Sequence, residues 1–456
     1  MDKNIKKNFL FAFIAQAISL IVSSVTNLVL PKFLSVSAFS YWQLFIFYST
    51  YIPCLALGLN DGIYLRYGGY HIKKLDFSEV KSQFFFGQVF QIVLGLLVGL
   101  IAFFCSTTLE RKIIWVLVII YFFIFTAHNF LGYIFQAVNE TNLYSKSIIY
   151  QRLVFFLFQL VSILLFIRNV YFYISFYVLG VLVALIYLTF KIYRYFKQAK
   201  LNWKLGTEES FISMKVGISL MISNICSMLI LGVSRQIIDL RWGLISFGKV
   251  SFSLSLMNFA LTFVMQIGLV LFPALRRLTQ KDLKQYYKNF TIKLFEILPL
   301  MYLCYLPLQY ILKAWLPEYA VSIDYLAVVL PICYFDCKME LIGNTFYKVL
   351  NKQVMLLRIN IITIILSAFL GLISAYVLNN MNLIIVSMVI SIIFRSLLAN
   401  YILKQEIKFS VLKYDLFDVI LALIFVLVSH YFIWWLAFIS IIAVYAIRIL
   451  FVKIQE

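Results

Sequence analysis

Asp336, Lys338 and Glu340 stand inside SIDYLAVVLPICYFDCKMELIGNTFYKVL, a run that is otherwise almost wholly apolar. If the run is helical, Asp336 and Glu340 are i,i+4 neighbours on one face and Lys338 points elsewhere. Two carboxylates on one face can take up and release a proton or a sodium ion, the chemistry of gating or coupling. Lys338 would then reach the membrane surface or a partner on another helix. Two plainer readings stand beside this one. The three charges could form an ion-pair network between helices, or the helix could stop early and leave them at a membrane surface. Pro331, just upstream, favours a break that frees a carbonyl. Glu296, inside another apolar run, joins the coupling candidates.

A second set could bind a substrate. Asp61 and Arg66 lie in GLNDGIYLRYGG, and His128 with Asn129 lies in a long apolar run. Arg235 and Arg241 stand at the mouth between two runs; Lys249, Asn258 and Arg395 fall within later ones. Arginine forks suit phosphate oxygens, and a histidine suits proton transfer near neutrality. His128 can equally be a packing group, and Arg66 an anchor at a membrane surface. Amides such as Gln159, Asn224, Asn258 and Gln266 can bind sugar hydroxyls or hold helices together. No G-x-x-x-x-G-K-[ST], metal-ligand cluster or catalytic triad is present. An enzyme is therefore not expected, nor any cofactor. Energy would come from a proton or sodium gradient, or from the substrate's own.

These groups need elements to hold them, and composition says which. The chain has 456 residues, 63% hydrophobic and 13% charged, with a mean hydropathy of +0.96. A water-soluble domain carries far more charge than this. The formal charge of +20 does not imply nucleic acid, because the basic residues are dispersed between apolar blocks. The six cysteines are scattered, with no C-x-x-C, and read as small apolar packing groups.

Blocks long enough to cross a bilayer fall at about 9–30, 42–60, 84–107, 113–138, 148–167, 171–190, 211–232, 244–272, 291–310, 323–347, 354–377, 382–403, 415–429 and 431–449. Loop charges support fourteen crossings. One side collects Lys3, Lys6, Lys7, Arg66, Lys73, Lys74, Lys81, Lys146, Arg152, the basic stretches 191–215 and 276–293, Lys348, Lys352, Arg358, Arg395, Lys404, Lys408, Lys413, Arg448 and Lys453. The other holds Lys32, Arg111, Lys112, Arg168, Arg235, Arg241 and Lys313. The positive side is cytoplasmic by the usual bias, so both termini are expected there. No external loop is long enough for a soluble domain.

Residues 18–42, ISLIVSSVTNLVLPKFLSVSAFSYW, echo residues 218–242, ISLMISNICSMLILGVSRQIIDLRW. Either two oily segments agree by chance, or the chain holds parallel repeats of six spans. The second reading gives an N-terminal six-helix lobe at 1–190, a cytoplasmic linker at 191–210, a C-terminal lobe at 211–403 and two added helices at 404–456. Two such lobes would enclose a cleft open to alternate sides.

KNIKKNFLFAFIAQ (3–16), VTNLVLPKFLSVSAFSYWQLF (25–45), GLNDGIYLRYGG (58–69) and FQAVNETNLYSKSIIYQR (135–152) occur in that order along the spans. In this they resemble the polysaccharide transport family of bacterial O-antigen and capsule repeat-unit flippases. That family lies within the multidrug/oligosaccharidyl-lipid/polysaccharide exporter superfamily. The resemblance implies an all-α integral membrane protein of about 14 helices, with two six-helix lobes around a V-shaped central cavity plus two C-terminal helices. It implies a flippase of undecaprenyl-pyrophosphate-linked oligosaccharides, moving them from the cytoplasmic to the periplasmic leaflet of the inner membrane. A repeat-unit polymerase and a chain-length regulator are the implied protein partners. The family uses cavity cations, yet here Arg66, Arg152 and Arg168 are expected near span ends. A multidrug or cation exporter of the same fold is the first alternative. A polytopic repeat-unit polymerase is the second, disfavoured by the lack of a large external loop.

Overall fold

The structure is a computed structural model and describes residues 3–275, 279–350, 352–407, 409, 411–431, 436 and 438–446. Among the described residues there is helix and turn, and no strand. Helices are what a lipid environment permits, because each satisfies its own backbone hydrogen bonds. The chain forms two compact units, Met1–Ile225 and Cys226–Glu456.

Unit 1 is built from α1 (Lys3–Phe33), α2 (Val36–Tyr51), α3 (Leu59–Tyr67), α4 (Phe77–Cys105), α5 (Leu109–Ala137), α6 (Thr141–Leu164), α7 (Val170–Gln198) and the start of α8 (Trp203–Leu275). Short polar residues start several helices by accepting an orphan N–H: Ser35 from Ala38 at 3.2 Å, Asp76 from Ser78 at 2.8 Å, Asn169 from Tyr171 at 2.9 Å. Between α2 and α3 the chain bends by 61°. Pro53 and the left-handed Leu57 and Gly58 (φ 48° and 77°) make that bend. Pro31 makes no turn. It sits inside α1, which runs on to Phe33.

α3 packs unusually close to α8 within this unit. A Cβ on Gly62 would fall 1.8 Å from the Ser213 carbonyl oxygen, and one on Gly217 would fall 2.0 Å from that of Gly58. Only glycine allows this backbone-to-backbone approach, the small-residue packing that replaces the hydrophobic effect inside lipid.

Unit 2 holds the rest of α8, then α9 (Gln280–Ile297), α10 (Leu300–Trp315), α11 (Ala320–Lys338), α12 (Thr345–Val349), α13 (Gln353–Leu372), α14 (Met381–Ile407) and α15 (Leu412–Tyr431). α8 breaks at Gly243 (φ 82°, ψ 179°), a conformation open essentially to glycine alone. Its apolar part, Trp203–Phe259, has 57 residues. A straight helix of that length would span about 85 Å, far beyond a hydrocarbon core of about 30 Å. The expected spans at 211–232 and 244–272 lie on either side of the break.

Outward faces are apolar, the reverse of a soluble protein. On α4, Val93, Leu97 and Ile101 are more than half exposed, as are Phe104 and Leu164 at helix ends. The chain is a multi-pass α-helical membrane protein. Among the described residues ten helices are long and apolar enough to cross a membrane, or eleven if the bent α2–α3 pair is one span. Fourteen were expected. The expected span at 415–429 is a helix, α15; of the one at 431–449, residues 432–435, 437 and 447–449 lie outside the described residues, as do Arg276, Arg277 and Lys408.

Candidate functional site

The stretch around Asp336 is not a helix end. α11 continues without a break past Pro331, which is buried in its interior, so the reading in which the helix stops early does not apply. Instead the helix widens into a π-helical segment, Met339–Asn344, before resuming as α12. Thr345 Oγ1 donates to the Glu340 carbonyl at 2.9 Å, taking up an acceptor inside the widened turn. Such widenings often mark functional sites, because they re-aim side chains without ending the helix.

Two charge clusters flank this segment. In the first, Arg395 of α14 is 4% exposed. Its Nε donates to Asn360 Oδ1 of α13 at 2.9 Å, its Nη1 to Asp336 Oδ1 at 3.3 Å and its Nη2 to Ser227 Oγ of α8 at 3.3 Å. Glu340, one turn beyond Asp336, is within electrostatic reach of both and accepts from Asn344 Nδ2 at 2.6 Å. The Asn344 side-chain oxygen Oδ1 is buried without a partner among the described residues. Two acids therefore face one base, and one acidic charge is left over.

In the second cluster, Lys338 is 4% exposed. Its Nζ lies 2.5 Å from Asp415 Oδ1 and 2.6 Å from Asp418 Oδ2, both on α15. Tyr334 donates to Asp418 Oδ1 at 2.6 Å and Asn400 to Asp415 Oδ1 at 2.9 Å. This too is two acids to one base, but it is enclosed, and Lys338 is hydrogen-bonded to both acids. It is the inter-helix network that was one reading of the stretch. Sequence reasoning missed Asp415 and Asp418. The signal was there: two acids three apart at the head of an apolar run, KYDLFDVILAL.

In unit 1 the candidates disperse. Arg66 ion-pairs with Glu209, donates to Ser213 Oγ at 2.7 Å, and lies 3.5 Å from Glu79. Glu79 and Gln83 share the Tyr67 hydroxyl. His128 is 1% exposed, bonded to Ser147 Oγ at 2.9 Å and stacked on Tyr144. Asp61 and Asn129 are half-buried.

Arg152, expected near a span end, sits midway along α6 and is half-buried. Its Nε is buried with no hydrogen-bond partner among the described residues. Tyr121 and Tyr144 lie within its electrostatic reach. Beside them is an aromatic wall: Trp42 stacks on Phe155 at 5.9 Å, and Tyr177 sets its edge to Trp42, Phe45 and Phe155 at 5.3–5.9 Å. No carboxylate pairs with Arg152 among the described residues. A guanidinium at that depth is costly unless it meets water or an anion.

The remaining candidates in unit 2 are not gathered. Arg235 donates to Ser251 at 3.1 Å and covers the Phe247 ring; Arg241 is exposed and donates to Asn379 at 3.1 Å. Lys249 is half-buried, Asn258 exposed and Glu296 half-buried. The side chain of Gln266 lies outside the described ones. No group of three His, Cys, Asp or Glu that could hold a metal occurs among the described residues.

No protein-family model matches the sequence, and no curated protein matches it. The fold, by contrast, matches solved structures. A multidrug resistance MATE-family transporter of the MOP superfamily, in an inward-facing conformation, aligns at TM-score 0.65 with 10% identity over 89% of this chain and 98% of that one. The lipid II flippase MurJ in an inward closed conformation aligns at 0.59, with 13% identity over 98% and 99%. A MOP-superfamily transporter from Pyrococcus furiosus, described by the reverse polarity of its binding pocket, aligns at 0.54 with 11% identity over 90% and 98%. The chain therefore shares its fold with these MOP-superfamily transporters and with the lipid II flippase.

Proposed function

We propose that the protein is a secondary transporter that carries a lipid-linked, phosphate-bearing saccharide from the cytoplasmic to the periplasmic leaflet of a bacterial inner membrane by alternating access. The observation that carries this reading is Arg152, a mid-helix guanidinium whose Nε has no hydrogen-bond partner among the described residues. A fixed cation inside a helix suits an anionic head group. The likeness to the MurJ flippase over nearly the whole of both chains supports it. An undecaprenyl-pyrophosphate oligosaccharide, O-antigen or capsule, is the specific substrate proposed, with the lobe boundaries at 190 and 211. The Asp336–Glu340–Arg395 cluster, with its one surplus acid, is the proposed seat of coupling to a proton or sodium gradient.

The second reading is a multidrug or cation exporter, and the fold comparisons favour it over the flippase. The multidrug transporter gives the higher score, 0.65, and further MATE structures align at 0.54–0.55. Asp61, half-buried in α3 with no cation paired to it among the described residues, would serve such a substrate. One experiment separates the two. Proteoliposomes are assayed for leaflet transfer of a defined lipid-pyrophosphate oligosaccharide and for efflux of ethidium, with and without imposed proton and sodium gradients. Transfer of the lipid without ethidium efflux supports the flippase. Ethidium efflux alone replaces it with the exporter.

A further inference from the structure

Three separate segments, around Asn8, 64–71 and 136–142, converge in unit 1. Asn8 Nδ2 donates to the Asn139 carbonyl at 2.7 Å, and the backbone and side-chain N–H groups of Asn142 donate to Asn8 Oδ1 at 3.1 and 3.0 Å. Gly69 N donates to the Ala137 carbonyl at 3.0 Å. Gly69 and Asn139 hold left-handed backbone (φ 91° and 64°), which these two residue types tolerate best. The result is a braced rim around a cavity of about 640 Å³, whose lining includes Tyr64, Tyr70, His71, Gln136, Asn139 and Glu140.

The lining chemistry narrows the ligand. None of the described lining residues is Lys or Arg, and Glu140 is among them, so these residues offer a phosphate group no counter-charge. An apolar drug would need an enclosed oily wall, and this cavity is open and mostly polar. Tyr64 and Tyr70 are 44% and 50% exposed and present their rings. The side chains of Gln136 and His71 make no hydrogen bond among the described residues, so donors and acceptors stand idle around those rings. A pyranose has the matching shape: a C–H face for an aromatic ring and a rim of hydroxyls that both donate and accept.

We propose that this cavity is a docking site for an uncharged, hydroxyl-rich sugar, the saccharide head of the lipid-linked substrate. The inference rests on the flippase reading above. Lys73, Lys74 and Lys146 neighbour the cavity segments in sequence, and the charge bias assigns them to the cytoplasmic side. The sugar is thus held before the crossing, apart from the phosphate.

The test is saturation-transfer NMR on the full-length protein in nanodiscs with free glucose, galactose, N-acetylglucosamine and N-acetylgalactosamine as probes. At least one sugar receives ring-proton saturation, and Tyr70→Ala and Gln136→Ala each weaken its binding by about fivefold or more. Tyr70 is exposed and Gln136 half-buried, and an unchanged melting temperature shows that the variants are folded. No transfer to any of the four sugars, or equal transfer in the variants, overturns the site. So does transfer that competes only with phospholipid head groups. The two readings fail separately. Sugar binding without leaflet transfer of lipid-linked oligosaccharide leaves this site standing and removes the flippase. Leaflet transfer that is indifferent to both variants, with no sugar bound, does the reverse.

Discussion

The Nζ of Lys338 on α11 lies 2.6 Å from Oδ2 of Asp418 on α15, across 80 residues of sequence. Asp415 closes the other side at 2.5 Å. Removing one partner from a buried ion cluster strands the others in a medium that cannot solvate them. Lys338→Met should therefore cost about 3–5 kcal/mol. Combining it with Asp415→Asn and Asp418→Asn should recover most of that loss. Thermal unfolding in detergent measures both. A Lys338→Met protein as stable as wild type would mean that the cluster does not hold α15 to α11.

The two clusters show how far sequence reaches. Each apolar run could be read as a helix because its backbone has no other stable state in lipid. The i,i+4 spacing correctly set Asp336 and Glu340 apart from Lys338. What the sequence could not supply was the partner, because Arg395 and Asp415 are 59 and 77 residues away. The π-helical turn at Met339–Asn344 was illegible too, since it depends on what packs around it and not on local composition.

Glu340 is a cleaner probe of coupling than Asp336. Asp336 is the acid hydrogen-bonded to Arg395 at 3.3 Å, so Asp336→Asn strands a guanidinium and weakens the fold. Glu340 instead accepts from an amide of its own helix, Asn344 at 2.6 Å. Glu340→Gln keeps that hydrogen bond and removes only the surplus charge. It should leave the melting temperature unchanged and abolish the stimulation of transport by an imposed gradient. Gradient-stimulated transport at the wild-type rate in this variant would take coupling away from the cluster.

Arg152 should separate binding from stability. Arg152→Ala removes an unpartnered guanidinium, so the protein should melt no lower than wild type. Charge-assisted hydrogen bonds are worth about 1.5–3 kcal/mol each, so leaflet transfer of a pyrophosphate-linked oligosaccharide should fall at least about tenfold. Arg152→Lys should recover only part of it, because an ammonium lacks the two-pronged fit. Initial rates in proteoliposomes at equal reconstitution decide the matter. Unimpaired transfer in the alanine variant would leave the anionic substrate without its anchor.

The packing of α3 on α8 gives the sharpest steric prediction. At Gly62 an added Cβ meets the Ser213 carbonyl oxygen at 1.8 Å, and at Gly217 it meets the Gly58 carbonyl oxygen at 2.0 Å. Both obstacles are backbone, so no side chain can swing aside, and the helices must part. Overpacking of this kind costs about 1–3 kcal/mol or more. Parting them also pulls Arg66 from Glu209 and Ser213, which sit on the same two helices. Gly69 is the control: it has open space around it, and alanine there carries only the strain of its left-handed backbone, roughly 1–2 kcal/mol. Gly62→Ala and Gly217→Ala should thus lower the melting temperature and the yield of monodisperse protein more than Gly69→Ala does. The opposite order would show that α3 and α8 are not packed backbone to backbone.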